Sequence, residues 1–258
     1  MAENCCLIGR GKVYVREYVN ICCDPAITEN TNAFKFIGNV SNFNFSISES
    51  RASQKDYTTA GGGNHCSISL IESVDLTMDL SCYSKDNLAM AFFGSGSDVV
   101  AGTGQVDTFT IGTEVADTFL PLSYSVDTTT NPVVVSDAIT NFVEGTDYRL
   151  TPNGIEIPAG STIPAGSTLT VTYDFGASEA TQMITGTSRL VEVFFDGINT
   201  ASGNTPFSVH LYKVTLSPTS DISFISEDFE NFTIVGNVNQ DECRVGDGLS
   251  RYGQIKQG

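Results

Sequence analysis

The feature that most constrains this chain is strict two-residue alternation over long stretches. In VSNFNFSISES, Phe43, Phe45 and Ile47 fall on one side of an extended backbone and Asn42, Asn44, Ser46 and Ser48 on the other, because successive side chains of a strand point to opposite faces. CSISLIESVDLTMDLSC (66–82) repeats the pattern, with Val74, Leu76, Met78 and Leu80 opposite Asp75, Thr77 and Asp79. Each such strand needs one covered face and one wet face. RLVEVFFDGI (189–198), FSVHLYKVTLS (207–217), DISFIS (221–226) and FENFTIVGNV (229–238) read as further strands. The expected fold class is all-β, a mainly antiparallel β-sandwich.

One segment departs from this period. SKDNLAMAFFG predicts a single flanking helix, with Ser84 as N-cap, Leu88, Ala89, Phe92 and Phe93 as its apolar stripe and Gly94 as its stop. Between the first two strands, RASQKDYTTAGGG (51–63) is too polar for core and too long for a tight turn, so a working loop is expected. GSGSDVVAGTGQ (94–105) reads as a linker. Residues 106–176 then change character to short strands broken by TTTNP, EGTDY, PNG and two IPAGST copies, with Arg149 the sole basic residue. The expected organisation is an N-terminal arm or edge strand (1–33), a β-sandwich (34–105 and 177–238), an inserted acidic β-module (106–176) and a C-terminal tail disordered by itself (239–258).

The 258 residues carry a formal charge of −17. This argues against binding nucleic acid through phosphate neutralisation. It fits plain solubility, and equally a wall along which DNA slides without sticking. Seven cysteines cannot all pair within one chain, and the adjacent pairs Cys5-Cys6 and Cys22-Cys23 lack zinc-site spacing. Free thiols, no metal and no cofactor are expected. No apolar run reaches the roughly 20 residues of a membrane span, and the start MAENCCLIGRGKVY lacks signal-peptide order, so synthesis in a reducing cytoplasm is expected.

Catalytic constellations are not found, and the chain is expected not to be an enzyme. His65 and Cys66 are strand neighbours and face opposite ways. His210, on an alternating strand, reads as a surface or interface residue. Asp75 and Asp79 stand about 13 Å apart at strand rise, too wide for a paired-carboxylate site. The 94–105 stretch lacks the Lys-Ser/Thr end of a phosphate loop. Arg51 and Lys55 alone are too few for a nucleic-acid surface.

FIGNVSNFNFSISES, the polar loop ending in GGG, SLIESVDLTMDLSCYSKDNLAMAFFG, and RLVEVFFDGINTASGNTPFSVHLYKVTLSPTSDISFISEDFENFTIVGNV together resemble the tail tube (major tail) proteins of long-tailed bacteriophages. The resemblance covers residues 34–94 and 183–238, and NFVEGTDYRLTPNGIEIP with LTVTYDF is similar to a small β-module that some members carry. It implies a sandwich that closes side by side into hexameric rings sharing one inner β-barrel, stacked into a hollow virion tube that conducts DNA. On that basis Asn42, Asn44, Ser46, Ser48, Asp75, Thr77 and Asp79 would line the bore. Arg51, Gln54, Lys55, Asp56, Tyr57, Gly61, Gly62 and Gly63 would reach the next ring, and the acidic module would sit outside. The implied partners are further copies of the chain, the tape measure, tail terminator and baseplate or tip proteins, and DNA in transit, with no membrane. The seven cysteines depart from the family pattern.

A secreted or surface Ig-like adhesion module, with its ligand site on the acidic insert, is the alternative. An injection-tube protein of a contractile secretion system stands close to the first reading, and an unrecognised hydrolase stands far from it.

Overall fold

The computed structural model describes residues 6–20, 30–58, 60–219 and 221–258. Two compact units divide the chain, one formed by Met1–Gly96 with Thr181–Gly258 and the other by Ser97–Ala180.

The first unit is one large antiparallel sheet. Its strands, numbered along the chain, are β1 (Gly9–Glu17), β2 (Lys35–Phe36), β3 (Val40–Lys55), β4 (Asn64–Leu80), β14 (Arg189–Asn199), β15 (Thr205–Ser217), β16 (Phe232–Val238) and β17 (Gly253–Gln257). They lie in the order β2-β1-β14-β15-β16-β4-β3, and β17 pairs with the part of β15 that β16 leaves free. The core forms on one face from Val13, Val74, Leu76, Met78, Val193, Val214 and Ile234. The sheet curls around it. Phe43 of β3 and Phe195 of β14 are four strand spacings apart, about 19 Å in a flat sheet, yet their rings stack at 5.5 Å. The sheet is sandwich-like without closing into a barrel.

Helix α1 (Lys85–Ala91) forms where the sequence predicts a helix, but its buried face is not the predicted stripe: Ala89 and Phe93 are buried, whereas Leu88 and Phe92 are half-buried and Met90 and Ala91 take their place. The Ser84 hydroxyl accepts the Asn87 N–H, and Met90, Ala91 and Phe93 enter the core. The buried Asn87 side chain donates to the carbonyls of Ile37 and Cys82, which fixes where the helix starts. The cap at the far end is Phe92, and Phe93 takes the left-handed turn at φ 51° before Gly94 is reached.

Four further expectations for this unit need correction or narrowing. The N-terminal stretch is no free arm: β1 makes nine consecutive pairs with β14 and has only the two-residue β2 on its other side, so of the two expected readings it is the edge strand. Gly11 faces Gly197 there, and a Cβ on Gly11 would strike the Asp196 carbonyl, so the close approach requires glycine. Residues 221–226 form no strand, and Phe224, Ile225 and Phe229 stand exposed. The C-terminal segment is ordered by its own chain: β17 pairs with β15, and Asp241 accepts from the Tyr18 hydroxyl. Backbone pairing recruits it, which no side-chain period signals. Finally, Cys6, Cys66 and Cys82 are free as expected, whereas Cys243 is disulfide-bonded; Cys5, Cys22 and Cys23 lie outside the described residues.

The second unit is entered through β5 (Ser95–Val99) and left through β13 (Ser178–Gln182), which pair with each other, so 94–105 is strand rather than linker. Its other strands are β6 (Gly102–Thr110), β7 (Thr118–Pro121), β8 (Val126–Asp127), β9 (Val134–Ser136), β10 (Arg149–Thr151), β11 (Gly154–Ile157) and β12 (Thr168–Phe175). One sheet runs β10-β11-β7, and a second joins β6, β8 and β9 to β12. Ile155, Ile157, Leu169, Val171 and Tyr173 are fully buried in a core of their own. The expected insert, 106–176, lies inside this unit.

Candidate functional site

The β3–β4 hairpin carries nearly all of the residues singled out in the sequence. Its proximal half belongs to the sheet. Asn42 pairs with Asp79, Asn44 with Thr77, Ser46 with Asp75 and Ser48 with Ser73, so the seven predicted bore residues share one face. The opposite face puts Phe43 against Met78 and Phe45 against Leu76, on the core side.

β16 and β15 extend this polar face. Thr233 lies beside Asp79, Val235 beside Thr77 and Asn237 beside Asp75, followed by Thr215 and Ser217. The side chains hold one another. Thr233 donates to Asp79 at 2.6 Å, Asn237 and Ser73 donate to Asp75 at 3.0 and 2.7 Å, and Asn239 donates to Thr215 at 2.6 Å. Asp75 and Asp79 are the only charged groups among these paired positions, and neither makes an ion pair among the described residues. Chemically this is a fixed, mildly negative hydroxyl and amide surface.

A register shift between Ser48 and Glu49 marks where the hairpin leaves the body of the unit. Strand pairing nevertheless continues as far as Lys55 and Asn64. Here the expected loop is corrected: Arg51, Gln54 and Lys55 are strand residues, and only residues 56–63 form the turn. Glu49 to Lys55 spans about 20 Å at strand rise. In the turn, Asp56 accepts from the Thr58 amide and hydroxyl, its own amide donates to Gly63, and Tyr57 is exposed. Gly62 and Gly63 have φ of 62° and 139°, which explains glycine at both, while nothing in the geometry requires it at Gly61.

Sequence reasoning missed what the distal hairpin presents. The register shift skips Glu72 of β4, so past it the core-side row continues as Ile47 and Ile71, 61 and 57% exposed, while Leu70 and Ile68, 61 and 57% exposed, form an apolar row beside Ser50 and Ala52 on the other face. A two-stranded ribbon is marginal alone in water, and this one has no cover on its apolar row. The available signal was length: strands of 16 and 17 residues are about three times the usual five or six.

The other candidates sit elsewhere. His65 and Cys66 are both exposed on distal β4, and the Cys66 thiol contacts Gln54. His210 lies 3.2 Å from the buried Glu192, which also accepts two bonds from Arg16 and one from Asn30. Burial acts to raise the Glu192 pKa, but the His210, Arg16 and Asn30 hydrogen bonds prevail and hold it below the ordinary value. Arg16 also donates to the Asn30 carbonyl and stacks on Phe34, so the cluster pins residues 30–34 to the sheet. Among the described residues no group of three His, Cys, Asp or Glu side chains is placed to hold a metal ion.

In the second unit, the carboxylates are occupied with turns. Asp107 accepts from the Ser123 amide and hydroxyl, Gln105 and the Tyr173 hydroxyl. These bonds outweigh burial and lower its pKa, while burial and the Asp107 partner push Tyr173 up to about 12. Asp127 and Asp137 accept from the amides of Thr129 and of Ile139 and Thr140, and Asp147 from those of Val143 and Thr162. The acidity of the insert is therefore largely backbone capping.

Fold and site together define an all-β protein with a polar sheet face and a projecting hairpin that has one uncovered apolar row. The chain belongs to the family described as "Protein of unknown function UCP028589", whose profile matches residues 6–256. No curated protein matches it.

Proposed function

We propose that this chain is the repeating subunit of the tail tube of a long-tailed bacteriophage, made in the host cytoplasm and acting in the virion. Copies associate side by side into rings, the rings stack, and DNA passes through the bore. The observation that carries this reading is the distal β3–β4 hairpin. It holds Ile47, Ile68 and Leu70 in water on a ribbon too thin to cover them, so association is what would remove that surface from solvent. The same hairpin bears the Asn42–Ser48 and Asp75–Asp79 polar face, whose anionic and neutral groups suit passage of a polyanion without adhesion.

Negative-stain electron microscopy of the purified protein over a concentration series tests this. Rings or hollow fibres of constant diameter are expected. Dispersed monomers at every concentration, also in the presence of preformed tail tips, would overturn it.

A further inference from the structure

The sheet of the first unit forks. Up to Asn237, β16 lies against β4. Beyond that point the slot next to β15 is taken by β17, which pairs through Phe207–Gln257 to Leu211–Gly253. The hairpin leaves at the same level. β17 therefore pairs on one side only, and distal β3, the terminal strand of the sheet, has a free outer edge from Glu49 to Lys55. Distal β4 is likewise unpaired on its far side, so every copy offers free backbone edges on both the hairpin and β17. Exposed edges of this kind are templates for pairing with another chain.

Their faces match. On β17, Gln254 and Lys256 share the side of His210 and Ser208, whereas Ile255 shares the core side of Val209 and is 53% exposed. On distal β3, Glu49, Arg51 and Ser53 share one side, and Ser50 and Ala52 lie on the other, backed by Leu70 and Ile68 of β4. Charges match as well. Residues 248–258 hold Arg251 and Lys256 and no acid, in a chain of net charge −17. Neither Lys256 nor Glu49 has an ion-pair partner among the described residues.

Resting on the tube reading, we propose that the distal β3 strand of one copy adds to the free edge of β17 of a second copy. The pairing is antiparallel, with Glu49 beside Lys256 and Gln254 beside Arg51. Ser50 and Ala52, with Leu70 and Ile68 behind them, then continue the Ile255–Val209 side of the neighbouring sheet. Main-chain bonds supply the attachment, while Glu49 and Lys256 set the register.

A charge-exchange experiment tests this pairing. Glu49→Lys, Lys256→Glu and the double variant are compared with the natural chain by sedimentation and negative stain. Circular dichroism verifies the fold, which these exposed positions leave intact. Each single variant is expected to need at least about tenfold more protein to assemble, since like charges then meet, and the double variant to return to the natural value. Single variants that assemble normally, or a double variant no better than the worse single one, would overturn the pairing. Failure of the unaltered chain to assemble counts instead against the tube reading.

Discussion

Replacing Ile68 and Leu70 together by Ser separates folding from assembly. These side chains are 57 and 61% exposed in the single chain, whereas Leu76 on the same strand is fully buried. Full burial of an aliphatic side chain is worth about 1.5–3 kcal/mol. With roughly three fifths of that still to be gained on association, each residue contributes about 1–2 kcal/mol to a contact between copies. The double variant therefore loses about 2–4 kcal/mol per contact, which raises the concentration for assembly about 30- to 1,000-fold. Unfolding should barely change, by about 0.5 kcal/mol or less for exposed sites, while Leu76→Ala costs about 2–5 kcal/mol of stability. Sedimentation velocity over a dilution series and chemical denaturation read the two quantities independently. Assembly at the natural concentration, or a loss of stability like that of Leu76→Ala, would show that the stripe is not an association surface.

Three further expectations follow from the same geometry. Asp75→Lys with Asp79→Lys should leave tubes intact but impair DNA delivery, measured as infectivity of particles with normal tails; full infectivity would refute the bore assignment. Tyr173→Phe should destabilise the second unit by about 1–3 kcal/mol, because the buried Asp107 loses a donor. Since folding raises the Tyr173 pKa from the ordinary value near 10 to about 12, its contribution is complete below about pH 10 and fades as pH rises through about 12, which alkaline unfolding of the two forms can read. Glu192→Gln should cost about 3 kcal/mol by leaving Arg16 unpaired. Because the native Glu192 pKa is depressed, this contribution is present above the ordinary carboxylate range and disappears as pH falls through the native value, so urea unfolding of variant and natural chain should converge in acid.

Alternation was legible wherever a core enforces it. Asn42 to Ser48 and Asp75 to Asp79 come together as cross-strand partners because Phe43, Phe45, Leu76 and Met78 must all turn inward. Ser84 and the helix after it were legible because capping and helix period act within a few residues. What escaped depends on distant partners. β1 is fixed by Val193 and its neighbours some 180 positions away, and β17 by the length of β15 that β16 leaves unpaired. Residues 221–226 alternate as a strand does, yet no neighbour pairs with them. The distal hairpin misled in the opposite sense, since its polar, glycine-rich ending suggested a loop although main-chain pairing alone carries the ribbon to Lys55.

The paired strands β5 and β13 bring the chain into the second unit and out of it through adjacent backbones. Because that unit closes its own core around Tyr173 and Leu169, the ribbon works as a grafting port. A short Gly-Ser turn between β5 and β13, or a different small domain whose ends lie close together, can replace residues 102–176 without taking a residue from the core around Leu76 and Met78. Under the proposed assembly, variation in this unit is thus uncoupled from the strands that the ring contacts use.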